Sequence, residues 1–173
     1  ESAEIWESVG IPKNRIYFFG KESNWWSPGD NGPCGPDTEM FYDITPDGLG
    51  DLDQKGFEEA DERQEIVEIW NDVFMEYEKK DGKVIGKLEQ KNVDTGAGLE
   101  RLAMIMQEKD DIFNTDLFSG IMAVTIPMSQ DIKNRKIIAD HMRTAIFMIA
   151  DGVLPSNTDR GYILRRLIRR ATF

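Results

Sequence analysis

Val93-Asp94-Thr95-Gly96-Ala97-Gly98-Leu99-Glu100-Arg101-Leu102-Ala103 is the stretch from which the fold can be worked out. From Leu99 onward, Leu99, Leu102, Ala103 and Met106 recur at helical spacing, so a strand gives way to a helix around Gly96–Gly98. Glycines at such a junction let a ligand approach the backbone closely. The helix start offers unpaired N–H groups and a positive dipole end, which together favour phosphate. Arg101, in the first helical turn, adds a planar fork suited to phosphate oxygens. Asp94, at the strand end, puts a fixed carboxylate where a ligand ammonium could pair. By itself, a Gly-x-Gly-x-x-Arg string equally describes a tight turn followed by a surface arginine.

Upstream, Glu65–Tyr77 fits two periods. Ile66, Ile69, Trp70, Val73 and Tyr77 suit a helical face; Val67, Ile69, Val73, Met75 and Tyr77 suit an alternating strand. β-Branched and aromatic enrichment favours the strand, which puts Asn71 on the same side as Val73. A buried amide there needs partners from protein, water or ligand. Asp81-Gly82 predicts a hairpin turn before a short strand at 83–88. Residues 20–37, with Pro28, Gly29, Asp30, Asn31, Gly32, Pro33, Gly35 and Pro36, predict a stiff loop leading into a strand over Glu39–Asp43. Residues 45–63, acidic and glycine-bearing, predict an exposed loop.

Downstream, a helix is expected over about 116–122, capped by Asn114 or Thr115. Residues 126–134 read as a linker, and Ile137, Ile138, Met142, Ala145, Met148 and Ile149 mark an amphipathic helix ending at Gly152. A final helix carries Ile163, Leu164, Leu167 and Ile168 on one side and arginines on the other. Strands first and helices afterwards predict an α+β fold: an antiparallel sheet with flanking helices, followed by an all-helical region. The domain boundary is expected at 125/126.

Bulk properties narrow the function. The net charge of −11 argues against broad electrostatic binding to nucleic acid, yet Arg160, Arg165, Arg166, Arg169 and Arg170 follow one another with no acid between them. That basic end is either a phosphate-binding face or a solvated helix face. One cysteine, Cys34, cannot build a disulfide framework or a four-ligand zinc site, and points to a reducing compartment. The lone histidine, His141, reads as structural, and no metal site is assigned. No apolar run reaches the roughly 18–20 residues that span a bilayer. A chain beginning at Glu1 rather than Met reads as a processed or truncated product.

Residues 93–103 resemble the third signature motif of class II aminoacyl-tRNA synthetases, in the form used by the alanyl-tRNA synthetase family. Three other segments match that family in the same order. Asn24-Trp25-Trp26, then Gly29-Asp30-Asn31-Gly32-Pro33-Cys34-Gly35-Pro36 and Glu39-Met40-Phe41-Tyr42-Asp43, resembles its N-F-W…G-D-T-G-P-C-G-P-C-[ST]-E-I-F-Y-D stretch. Glu68-Ile69-Trp70-Asn71-Asp72-Val73-Phe74-Met75 resembles its E-I-W-N-x-V-F-M strand. Ala150–Asn157 with Arg160–Arg166 resembles the opening of its tRNA-recognition domain. There are departures: Asp37 replaces a second cysteine, Trp25 a phenylalanine, and Pro28 a common methionine, and the stretch between Phe118 and Ile138 is short.

The resemblance implies a class II sheet and ATP-dependent activation of alanine followed by transfer to tRNA(Ala), with ATP and Mg2+ as cofactors. It implies that Asp94 binds the alanine ammonium, that Asn71 orients the amino acid, and that Val73 and Trp26 wall the methyl pocket beside Gly96. Arg101 would hold the ATP γ-phosphate, with Gly96 and Gly98 lining the nucleotide. Asn157, Arg160, Arg165, Arg166 and Arg169 would approach the tRNA acceptor stem. It assigns no catalytic acid or base and no magnesium ligand. The first and second class II motifs do not occur in these 173 residues, so the chain alone is not expected to activate alanine. A cytoplasmic or organelle-matrix location is expected, and no membrane partner. The alternative is a non-catalytic synthetase-like paralogue that binds an amino acid or tRNA.

Overall fold

The computed structural model describes residues 1–172 and divides into two compact units, Glu1–Ile105 and the chain from Met106 onward. The first unit is built on a four-stranded antiparallel meander, β1 (Trp25–Trp26), β2 (Gly32–Asp43), β3 (Ile66–Lys80) and β4 (Lys83–Gly96), in the order β1-β2-β3-β4. It also holds α1 (Ser2–Ser8), a 3-10 turn at Lys13–Arg15, α2 (Gln54–Glu62) and the start of α3 (Leu99–Met106). The expected α+β class is the one observed.

The strand reading of 65–77 holds, and the β3–β4 turn lies where Asp81-Gly82 put it. Asp81 and Gly82 have φ of 47° and 76°, the paired positive angles that let a two-residue turn match strand twist. Two expectations fall short here. β4 runs unbroken from Lys83 to Gly96, because pairing with β3 carries it past 88. Residues 32–37 belong to β2 and not to the loop, despite their prolines. Gly35 explains how: a Cβ there would sit 1.8 Å from the Phe74 carbonyl oxygen, so only glycine allows β2 this close to β3.

Residues 45–63 are not all loop. Asp53 caps α2 by accepting from the Gly56 N–H at 2.7 Å. Phe57 holds the helix down, stacked on Tyr17 (ring centroids 4.4 Å apart) and edge-on to Phe41 (5.1 Å), with Ala60 fully buried below. The acids on its outer face had masked this single apolar stripe.

The second unit is helical: a 3-10 turn at Ile112–Asn114, α4 (Asp116–Thr125), α5 (Ile132–Ala150) and α6 (Asp159–Thr172). Its core is Phe118, Met122 and Ala139, flanked by Ile112, Phe113, Leu117 and Ile121. The linker expected over 126–134 is shorter than predicted, because Asp131 caps α5 by accepting from the Lys133 N–H at 2.8 Å. Thr115 is the residue before α4, but its hydroxyl donates back to the Ile112 carbonyl instead of capping forward. Arg135 closes the other end of α4, donating to the Met122 carbonyl at 3.2 Å and the Thr125 hydroxyl at 3.3 Å. α6 packs on its preceding loop through Gly161, whose Cβ would meet the Leu154 carbonyl oxygen at 2.4 Å. His141 is largely buried, with Nδ1 2.8 Å from Asp140.

Candidate functional site

Register brings the separated candidates together. Asn71 on β3 stands opposite Glu39 on β2 and Gly96 on β4; Val73 stands opposite Asp37 and Asp94. Directly paired residues share a face, and so do residues two apart. One face therefore carries Asp37, Glu39, Asn71, Val73, Asp94 and Gly96 in two adjacent rows. Trp26 stands opposite Gly35, two residues before Asp37, and is 39% exposed. Its neighbour Trp25 packs on Tyr77, ring centroids 5.5 Å apart. Val73 is a buried floor at 4% exposure, whereas Asp94 is exposed, and among the described residues no hydrogen bond or ion pair engages its carboxylate.

The β2–β3 pairing then slips. Met40 faces Trp70 but Phe41 faces Glu68, which leaves Ile69 as the extra residue of a bulge. Glu68 thereby joins the face that holds Asn71. Its Oε1 accepts from Asn71 Nδ2 at 3.3 Å, and its Oε2 accepts from Arg101 Nη1 at 3.0 Å. The same Nη1 donates to the Glu68 carbonyl at 2.8 Å. Arg101 thus reaches the sheet from the first turn of α3, and Gly98 gives it room: a Cβ there would press on the Arg101 side chain at 3.2 Å. On the opposite face the Thr95 hydroxyl accepts from Trp70 Nε1 and donates to the Asn71 carbonyl at 2.9 Å, tying β4 to β3 beside the candidate residues.

Negative charge is concentrated here. Burial, then the fields of Glu68, Asp37 and Asp61, push the Glu39 carboxyl up to about 7, with Arg101 pulling the other way. Burial also raises Asp37, against a 3.4 Å hydrogen bond from Asn24 Nδ2. Asp37, the residue that departs from the family pattern, so helps fix the segment carrying Trp26. At the far end of β2, burial alone would raise Asp43, but bonds from Thr45 and Leu49 hold it below the usual carboxylate range, which makes it a loop clasp. A cavity of about 520 Å³ opens beside this face, lined by Tyr17, Phe19, Phe41, Phe57, Asp37, Glu39 and Asp61 among others. Asn71, Val73, Asp94 and Arg101 lie outside its lining.

Sequence reasoning missed Glu68, Glu39 and Thr95 as site residues. Glu68 lies in the quoted E-I-W-N stretch, but strict alternation sends it to the other face from Asn71. Only the bulge reverses that.

In the second unit α6 carries five arginines. Gly161 and Leu164 are buried, while Arg160, Arg165, Arg166, Arg169 and Arg170 are exposed. Arg165 donates to the Asn157 side-chain oxygen, and the Arg166 guanidinium lies 5.8 Å from the Tyr162 ring. Among the described residues no group of three or more His, Cys, Asp or Glu is arranged to hold a metal, and no helix is long and apolar enough to cross a membrane.

Comparison with known proteins agrees along the whole length. The chain is 45% identical over 186 residues to the alanine–tRNA ligase of Treponema denticola, covering 99% of this chain and 30% of that protein. It is 43% identical over 182 residues to the chloroplastic/mitochondrial alanine–tRNA ligase of Sorghum bicolor, covering 98% of this chain and 18% of that one. Against the Francisella philomiragia alanine–tRNA ligase it is 43% identical over 176 residues, 99% of this chain and 20% of the relative. The chain thus spans about a fifth to a third of the length of these relatives. Matched over residues 1–172 by the family model described as tRNA synthetases class II (A), the chain belongs to that family.

Proposed function

We propose that the sheet face is the alanine and ATP site of an enzyme that activates alanine and transfers it to tRNA(Ala), and that α6 presents the acceptor-stem contacts. One observation carries this reading: the register places Asp94 opposite Val73 and Gly96 opposite Asn71, an unengaged carboxylate beside a buried apolar floor and an amide. An exposed carboxylate suits an ammonium group, Val73 and Trp26 bound a space for a methyl group, and Asn71 orients the carboxylate end.

In the first step an alanine carboxylate oxygen bonds to the ATP α-phosphorus, and the bond to pyrophosphate breaks. In the second, a tRNA ribose hydroxyl attacks the alanyl carbonyl, and AMP leaves with the electron pair of the broken acyl–phosphate anhydride bond while its phosphate oxygen takes the hydroxyl proton. The protein's share is positioning and charge neutralisation, for which this face needs no acid–base residue. Arg101, steadied through Nη1, turns its remaining donors to phosphate oxygens near the helix start at Gly96–Gly98. Magnesium, which the family implies, would neutralise phosphate charge when bound. Glu39, on the same face as Asn71 and beside Asp37, is the residue that would hold it. On this reading residues 1–125 belong to the catalytic core and 126–173 open the tRNA-recognition region. The chain would work in the cytoplasm or an organelle matrix, where charged tRNA is used.

Calorimetric titration with a non-hydrolysable alanyl-adenylate analogue tests the site. Saturable binding is expected, weakened roughly 10- to 150-fold by Asp94→Asn, the loss of one charge-assisted hydrogen bond of about 1.5–3 kcal/mol. Equal affinity for the variant, or no binding by a folded chain, rejects the reading.

A further inference from the structure

Two side chains from different elements end on one carboxylate. Asn71, three residues along β3, uses one oxygen of Glu68 at 3.3 Å; Arg101, from α3, uses the other at 3.0 Å and the Glu68 carbonyl at 2.8 Å. Strict alternation would put Glu68 and Asn71 on opposite faces, and the extra residue Ile69 brings them together. The Glu68 side chain is 31% exposed and that of Arg101 48%, so the ion pair itself adds little stability. Its effect is to restrict geometry: an arginine held at one nitrogen and a carbonyl loses less freedom when the rest of its fork meets a ligand.

We propose that Glu68 is a positioning residue that sets the amino-acid side and the phosphate side of the site from a single carboxylate. This rests on the reading of the face as an alanine and ATP site. Asn71 and Arg101 then take their poses together, and disturbing Glu68 loosens both subsites, whereas removing either partner loosens one.

Glu68→Gln keeps the shape but leaves one accepting oxygen for two donors. Using the 173-residue chain, binding of alanine and of magnesium–ATP is measured separately for the wild type, Asn71→Ala, Arg101→Ala and Glu68→Gln. The expected result is a roughly tenfold loss for alanine only in Asn71→Ala, for ATP only in Arg101→Ala, and for both in Glu68→Gln. In parallel, the side-chain amide resonances of Asn71 and the guanidinium resonances of Arg101 are followed in the ligand-free chain. Glu68→Gln shifts both sets while leaving the thermal midpoint within a few degrees, which a merely structural role would not do. Glu68→Asp, too short to reach both donors, shifts at least one set and serves if the glutamine variant fails to fold. Unmoved Asn71 and Arg101 resonances overturn the anchoring itself. Failure of the wild type to bind either ligand, with those resonances shifting, overturns the alanine–ATP reading and leaves the anchoring standing. Loss confined to one ligand in Glu68→Gln overturns the coupling of the two subsites.

Discussion

Glu39 stands opposite Asn71, partly buried, with Glu68, Asp37 and Asp61 around it and a carboxyl raised to about 7. Between its ordinary value near 4.5 and about 7, the folded chain keeps a proton that the unfolded chain has released. Rising pH therefore lowers stability across that window, and the cost is fully present above it. Glu39→Gln removes this dependence. Its thermal midpoint should fall less than that of the wild type between about pH 5 and pH 8, and should lie above the wild type at the higher pH. Equal slopes for the two proteins would show that Glu39 is not the titrating group. None of this was legible in the stretch 39–43, where Glu39 is one acid in an alternating strand; its surroundings come from β3 and α2.

At the scale of elements, two glycines in the helical unit make a matched test. Gly161 in α6 lies so close to the loop before it that a Cβ would meet a backbone oxygen at 2.4 Å, whereas Gly120 in α4 has open space. Gly161→Ala should therefore destabilise this unit by about 1–3 kcal/mol. Gly120→Ala should stabilise it by about 0.5–1 kcal/mol, the ordinary helix gain. Denaturant unfolding with hydrogen exchange on α5 and α6 reads both, and a neutral Gly161→Ala would mean the loop before α6 is not held there. The elements themselves differed in legibility. β3, the Asp81-Gly82 turn and α6 followed from period and turn chemistry. α2 did not, since its burial depends on Phe57 meeting Tyr17 and Phe41, which are distant in sequence.

For the molecule as a whole, charge is divided unevenly: a net −11 chain ends in a helix that exposes five arginines. An acidic body repels nucleic acid in general, so binding should be local and salt-sensitive. Replacing Arg165, Arg166 and Arg169 with alanine should abolish binding of an acceptor-stem RNA hairpin at about 200 mM salt. At about 50 mM, where residual binding is measurable, it should flatten the salt dependence by about three ion contacts. Affinity for the alanyl-adenylate analogue should stay unchanged. Fluorescence anisotropy at several salt concentrations checks this, and an unaltered slope would make the helix a solvated face. Arg165 also donates to Asn157, so its loss frees a side chain assigned to the same contact.

The sequence by itself determined the class of the fold, the strand–glycine–helix junction at 93–101, the shared side of Asn71 and Val73, and the basic face of α6. These follow from local periodicity, turn angles and side-chain chemistry, all written within a few residues. Only the tertiary structure decided that Asp94 lies across from Val73, that Glu39 is crowded by carboxylates, and that a bulge at Ile69 turns Glu68 toward both Asn71 and Arg101. Strand register and bulges arise from how whole strands satisfy their hydrogen bonds against one another, and no single segment encodes that pairing.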